Sequence, residues 1–386
     1  MPHPFGIRSR DEVRAMAQQC VAQLSALVAQ SKTSPAPRIA EGERITAERS
    51  PRLEIADDLD AVQRLFRERG WSDGLPVIPP TPARVDRMLA AHAPEAIVAV
   101  VAPAFGVATV EAIAINAVAA GCEPAYLPVL IAAVKAVAEP QFNLQAIQAT
   151  TNSVAVWALV NGPIARTLEI NAGMNCLGQG TWANATIGRA LRLLIVNVLG
   201  GIPGQLDRST LGHPGKFTLC LAEDEEGSPW LSLATERGVP AGASAVTVMA
   251  VESPHQIMNE WTHDPKELAE TYAAAIRANM LTYSIWAGNY AIVVPGQHRQ
   301  IFAEAGWSKR DLRECVHERA RVSRREWRAV GKGAVAPRKD EDAVYTALRS
   351  PDDLLVVAAG GPAGGFGAIL PPWYGQKSLA VTKGIE

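Results

Sequence analysis

The chain is predicted to be an α/β protein, and three observations carry that expectation. Short runs that are wholly or almost wholly apolar, AIVAVVA at 96–102 and ASAVTVMAV at 243–251 among them, suit buried strands. Segments with apolar residues at spacings of three and four separate these runs and predict helices. The third is internal similarity. WALVNGPIARTLEINAG at 157–173 and AIVVPGQHRQIFAEAGW at 291–307 share a strand, a glycine turn, a short helix and a closing Ala-Gly, with a one-residue gap. Such duplicated strand-turn-helix units predict a pseudo-symmetric body, two lobes around a cleft, where small-molecule sites commonly lie. The expected boundaries are an N-terminal helix and linker arm over 1–51 and an α/β body over 52–386, with lobes of about 52–240 and 241–386.

Taking the elements in order, Val13, Met16, Cys20, Val21, Leu24, Leu27 and Val28 make one stripe on a helix over 11–30, where Cys20 reads as packing. Residues 31–51 are rich in Pro, Ser and charge and read as a linker. A helix over 58–69 runs into GWSDGLPVIPPTP, an irregular extended loop in which Asp73 is a candidate substrate anchor. The simpler alternative is a carboxylate accepting its own loop's N–H groups, with Thr81 capping the next helix. A helix from about Thr109 to Ala120 ends at Gly121, and Pro124 suits the first turn of another. Cys122 lies between them, where exposed backbone N–H groups and a positive helix end would favour thiolate, although Glu123 opposes this.

From Asn143 to Asn184 the chain is rich in amides, so Asn152 and Asn184 are candidates for lining a polar cleft. A largely apolar helix follows, carrying Arg189 and Arg192. Both need anionic partners, a substrate carboxylate being the functional option for Arg189. In LGHPGKFTLCLAEDEE, His213 and Lys216 flank a turn before a strand over Phe217–Ala222, and Glu223 opens an acidic run. Imidazole, ammonium and carboxylate there are plausible acid/base equipment, whereas a solvated turn is the bland reading. His255, His263 and His298 are expected at the surface, and 308–335 is expected to be a basic, solvated helix. The closing DLLVVAAGGPAGGFGAIL is a strand running into a glycine loop, where Gly361, Gly364 and Gly365 could offer N–H donors to an anion. A last short strand lies in SLAVTKGIE.

The segments GWSDGLPVIPPTPARVDRML, INAVAAGCEPAYLPVLIAAVKA, NATIGRALRL, LGHPGKFTLCLAEDEEGSPW and AAGGPAGGFGAILPPW resemble a bacterial family of uncharacterised proteins. That family is related to, or associated with, small proteins named for a selenocysteine-Gly-Ser-Cys motif. The resemblance covers nearly everything from residue 58 onward. It implies a partner bearing a reactive thiol or selenol, although this chain has neither selenocysteine nor a Cys-Gly-Ser-Cys tetrapeptide.

Composition excludes several classes. With 48% hydrophobic and 20% charged residues in 386, the chain can bury a large core, and a net charge of −2 gives no reason to expect nucleic acid or an anionic membrane. The absence of a signal-like or membrane-length apolar stretch makes the cytoplasm the expected location. Five cysteines without a CxxC pair imply reduced thiols, and seven histidines without HxH or HExxH spacing leave no metal or other cofactor predicted. The favoured functional expectation is an enzyme acting on a polar or carboxylate-bearing small molecule by cysteine-dependent chemistry. Cys122 would be the nucleophile or redox thiol, with His213, Lys216 and Glu223 handling protons. The alternatives are a thiol-free acid/base lyase, hydratase or hydrolase, and a non-catalytic subunit of a thiol- or selenol-bearing protein; a homo-oligomer is compatible with each. At least three of Cys122, His213, Lys216 and the C-terminal glycines are expected around one cavity.

Overall fold

The central strands carry no charged residue, and this dictates how the chain is layered: a strand apolar on both sides must be covered on both sides. The computed structural model describes residues 9–31, 47–101, 105–283, 287–334, 336, 338–373 and 377–386. Contacts divide the chain into units 1–46 and 47–386. In the first, helix α1 (Arg10–Ser31) half-buries Val13, Met16 and Cys20 at the expected spacing, while Val21 and Leu24 are exposed. Residues 32–46 of the expected linker lie outside the described residues.

The second unit opens with α2 (Leu59–Arg69), α3 (Pro82–Leu89), the hairpin β1 (Ile97–Val101) and β2 (Gly106–Thr109), then α4 (Val110–Ala120), α5 (Leu127–Val137) and α6 (Leu144–Ala149). Next come β3 (Ala155–Asn161), α7 (Pro163–Thr167), α8 (Trp182–Asn197), β4 (Cys220–Ala222), α9 (Leu233–Glu236), β5 (Ala245–Val251) and β6 (His255–Met258). The remainder is α10 (Pro265–Thr282), β7 (Tyr290–Val294), α11 (Gly296–Glu304), α12 (Lys309–Arg319), β8 (Arg321–Ser323), α13 (Arg324–Ala329), β9 (Val344–Thr346), β10 (Leu354–Ala358), β11 (Phe366–Leu370) and β12 (Val381–Gly384).

Two four-stranded mixed sheets organise this unit, in the orders β12-β5-β3-β4 and β6-β11-β7-β10. In each, one pair is parallel, β3 with β4 and β7 with β10, and the other pairs are antiparallel. The inward residues of both sheets form one apolar core. Ala155, Trp157 and Leu159 of β3 and Met249 and Val251 of β5 join Ala291 and Val293 of β7, Leu355 and Val357 of β10, and Leu370 of β11. The alternate residues face outward: Ala158, Val160, Val246 and Val248 pack with α4, α5 and α8, whereas Tyr290, Ile292, Leu354 and Val356 pack with α10 and α12. The layering is therefore helix, sheet, sheet, helix. Because apolar side chains fill the space between the sheets, the expected cleft between lobes does not lie there. Nor does a division near 240 separate the sheets, since β12 completes the sheet of β3 and β5, and β6 the sheet of β7 and β11.

Local chemistry explains many boundaries. Thr109 caps α4 through Ala112 N–H at 3.0 Å, Asp58 caps α2, and Ser308 with Asp311 forms a capping box on α12. Thr81 holds the N-cap position of α3, but its hydroxyl makes no capping bond. Two expectations fail. The single basic helix over 308–335 is broken into α12, β8 and α13, because Ala320 leaves helical geometry and Ser323 caps anew. His298 is fully buried rather than superficial, its Nδ1 2.9 Å from Tyr272 Oη and its Nε2 3.0 Å from the Asn259 carbonyl.

Candidate functional site

The predicted site residues fall into three separate places. Cys122 follows α4, and its N–H donates to the Ala117 carbonyl at 2.9 Å in the αL closure made by Gly121. It thus sits at the negative end of α4, outside the three-residue 3₁₀ turn Pro124–Tyr126 that precedes α5. Its Sγ–H donates to the Thr186 carbonyl at 3.3 Å, and the residue packs on the apolar core. Burial pushes the thiol up to about 12, outweighing the Thr186 bond and the positive charge of Arg189. The expected thiolate is reversed, because desolvation and the wrong helix end oppose it. Arg189, nearby on α8, is held by the loop: Nε and Nη2 grip Asp73 at 2.7 and 2.9 Å, and Nη2 also reaches the Leu75 and Pro76 carbonyls. Asp73 and Arg189 therefore latch the 73–76 loop onto α8, a structural use of both side chains.

The second place is the end of the sheets where β3, β4, β7 and β10 finish. Glu223 accepts from Lys309 Nζ at 2.8 Å, Asn161 Nδ2 at 2.8 Å, Leu233 N–H at 2.6 Å and Ala358 N–H at 3.4 Å. With the Glu223 and Lys309 side chains 1% and 2% exposed, it is a buried junction rather than a proton carrier. The rest of the acidic run is paired too: Asp224 with Arg299, Glu225 with Asn161 and the Gly162 N–H, and Glu226 with Arg166. Asn184 serves structure in the same way, since its side chain exchanges hydrogen bonds with the Asn171 backbone at 2.8 and 3.0 Å. The glycines lie at this end as well. A Cβ on Gly365 would fall 2.2 Å from the Asn259 carbonyl and one on Gly361 2.8 Å from Met174, while Gly364 has φ +85°. Close backbone approach accounts for Gly365 and a left-handed turn for Gly364, whereas Gly361 meets only the exposed side chain of Met174.

His213, Lys216 and Asn152 lie at the third place, the opposite end, where β5 and β11 finish. Here Val251 bridges Pro372, Glu252 N–H donates to Pro371, and Trp373 N–H donates to Ala250. Lys216 Nζ contacts Asp207 at 2.7 Å and Ser209 Oγ at 2.7 Å, and Asp207 also binds Arg192 at 2.6 Å. Burial lowers the Lys216 ammonium despite Asp207. The Asp207 carboxyl, although buried, is held below its usual range by Lys216 and Arg192. His213 Nδ1 accepts from Gly215 N–H at 3.1 Å, which leaves the proton on Nε2, an atom buried without a regular partner. Burial lowers its imidazole against the opposing influence of the Val251 backbone.

Beside this network is a cavity of about 350 Å³ lined by Asn143, Ala146, Thr150, Asn152, Tyr283, Trp373 and Lys377. Asn152 Nδ2 donates to Tyr283 Oη, and Ser209 Oγ donates to the Asn152 carbonyl at 2.8 Å. Glu252, which did not figure among the predicted residues, adjoins Asn152. Burial pushes its carboxyl up to about 7, while the amides of Asn152 and Asn279 pull it partly back. Asn279 acts on it although its Nδ2 closes no hydrogen bond of regular geometry, and its Oδ1 accepts from Tyr290 Oη at 2.7 Å. The available sequence signal was a carboxylate placed directly after the apolar run ASAVTVMAV.

His213 and Lys216 therefore come together, whereas Cys122 and the glycines lie elsewhere, so the expected grouping of three around one cavity does not form. Among the described residues no group of three or more His, Cys, Asp or Glu side chains is arranged to hold a metal, and no helix is long and apolar enough to cross a membrane. Comparison with protein-family models and with curated proteins finds no match for this chain.

Proposed function

We propose that this protein is a small-molecule enzyme working by thiol-free proton transfer, with Glu252 as the acid/base and the adjoining cavity as the substrate site. One observation carries the reading: a carboxyl raised to about 7 beside a cavity of about 350 Å³ that shares Asn152 with it. Near neutrality such a group exists in both forms, so it can take a proton in one step and return it in another. That chemistry suits elimination, hydration or hydrolysis. The cysteine-dependent reading loses its support because a thiol raised to about 12 is scarcely ionised at neutral pH.

We also read the body as two copies of one unit that exchange their last strands. Three features support this: the similarity of 157–173 to 291–307, the matched order of one parallel and two antiparallel pairs, and the reciprocal bonds of Glu252 and Trp373 to the other copy's strand end. In that reading the cavity borders the axis relating the copies, where sites made from two halves commonly lie.

The test is a turnover screen of the purified chain against small hydroxy and unsaturated carboxylates and amides, followed by NMR. Glu252→Gln is expected to lower kcat by roughly 10²- to 10⁴-fold and to remove an inflection near pH 7, while Cys122→Ala keeps activity within about threefold. Full turnover by Glu252→Gln, or loss of it in Cys122→Ala, overturns the proposal.

A further inference from the structure

The cavity beside Glu252 is polar in an unbalanced way. Among the described residues Lys377 is its one cationic lining residue, no carboxylate lines it, and the ammonium has no ion-pair partner. The position of Lys377 is set by its main chain. Its carbonyl accepts from Asn143 Nδ2 at 2.8 Å, and the next residues are pinned by Ser378 Oγ donating to the Phe142 carbonyl at 2.7 Å and Leu379 N–H to Gln141 at 2.9 Å. The side chain is thus left at the rim with no structural duty.

On the same wall, Asn152 Oδ1 is a buried acceptor with no hydrogen-bond partner among the described residues. Because a buried, unmade hydrogen bond costs about 1–3 kcal/mol, an acceptor in this state marks where a ligand donor or water belongs. Trp373 and Tyr283 add aromatic faces, and the volume is at the lower end of that of ordinary small-molecule sites.

Resting on the reading of this cavity as a substrate site, we infer that its ligand is a small monocarboxylate carrying a hydroxyl or N–H next to a planar or apolar group. Lys377 takes the carboxylate, Asn152 Oδ1 receives the hydrogen-bond donor, and Trp373 with Tyr283 encloses the apolar part. A point charge at an exposed rim attracts an anion without demanding a fixed geometry, whereas the buried amide selects for the donor. A dicarboxylate has no second cation to meet among the lining residues. A neutral amide of the same shape forgoes the Lys377 attraction.

The experiment measures binding, independent of turnover, on the full chain by calorimetry, with mandelate, mandelamide and phenylacetate as probes of one shape. Mandelate is expected to bind at least fivefold more tightly than either mandelamide, which lacks the charge, or phenylacetate, which lacks the hydroxyl. Lys377→Met is expected to erase the preference for mandelate over mandelamide, and Lys377→Arg to restore most of it. Equal binding of all three, no binding of any, or a preference that survives Lys377→Met overturns the inference. Should the preference hold while Glu252→Gln retains full turnover, the proton-transfer reading fails and the ligand assignment stands. Should Glu252→Gln abolish turnover of a substrate that binds without regard to charge, the reverse applies.

Discussion

Removing Lys309 should damage this protein as much as opening its core. Lys309 Nζ meets Glu223 at 2.8 Å and Glu236 at 3.4 Å, with almost no solvent at either the ammonium or the Glu223 carboxylate. In Lys309→Met the methylene stem is replaced but Glu223 keeps a buried charge supported only by neutral donors, which costs about 3–5 kcal/mol. In Glu223→Gln the ammonium still has Glu236, although the new amide presents hydrogens toward Asn161 Nδ2 and the Leu233 N–H, so about 2 kcal/mol is expected. The double variant leaves neither charge stranded and should fall short of the sum by about 1.5 kcal/mol or more. Urea denaturation of the four proteins at 25 °C, read by tryptophan fluorescence, measures each term. Strict additivity, or a Lys309→Met cost under about 1 kcal/mol, refutes the account of Glu223 as a junction. A Glu223→Gln protein of native stability but without activity would return it to the catalytic residues.

Two more outcomes follow from the same geometry. The folded Glu252 carboxyl is raised to about 7 from an ordinary carboxyl value of roughly 4, so its protonated form favours the folded state. Its stabilising contribution is complete below about pH 4 and is lost as the pH rises through 7. Denaturation midpoints at pH 5 and pH 8 should therefore differ less in Glu252→Gln than in the native protein, and an unchanged difference contradicts the shift. Arg189→Ala strands Asp73, whose side chain is 5% exposed, at a cost of about 2–4 kcal/mol. Hydrogen exchange should accelerate at Leu75, whose N–H donates to Asp73; unchanged protection there speaks against the latch.

Legibility of the sequence tracked the range of the forces involved. Helix ends and the central strands are readable because each is decided within a dozen residues, as with Gly121 closing α4, whereas AIVAVVA reads as a buried strand but forms the largely uncovered β1 of a hairpin. The interleaving of β6 and β12 was not, since a four-residue strand states its own periodicity but not its partner. The acidic run at 223–226 looked like a solvated turn because charge ordinarily implies water; its cations at Lys309 and Arg299 lie 75–86 residues away. The Cys122 expectation fails for a related reason: helix ends are legible locally, whereas the burial that decides the thiol comes from tertiary packing on the apolar core. His298 reads as polar until the Tyr272 and Asn259 partners are known.

The two ends of the paired sheets differ in how completely their carboxylates are paired, and the proposed site rests on that contrast. Where β3, β4, β7 and β10 finish, Glu223, Asp224, Glu225 and Glu226 each have a matched donor or cation, and Gly365 serves close backbone approach. Two atoms at this end, Asn161 Oδ1 and Arg299 Nε, are also buried without regular partners, but its carboxylates are all paired. Where β5 and β11 finish, Asn152 Oδ1, Asn279 Nδ2 and His213 Nε2 are buried without regular partners, Lys377 lacks a counter-ion among the described residues, and Glu252 is raised toward neutrality. Ligands of open α/β sheets commonly bind outside the carboxyl ends of parallel strands. In these mixed sheets the parallel strands end at the junction of Glu223 and Lys309, whereas β5 and β11 end beside Glu252, Asn152 and the cavity. Unmet hydrogen-bonding capacity beside an accessible cavity is a free-energy reservoir that a ligand can draw on.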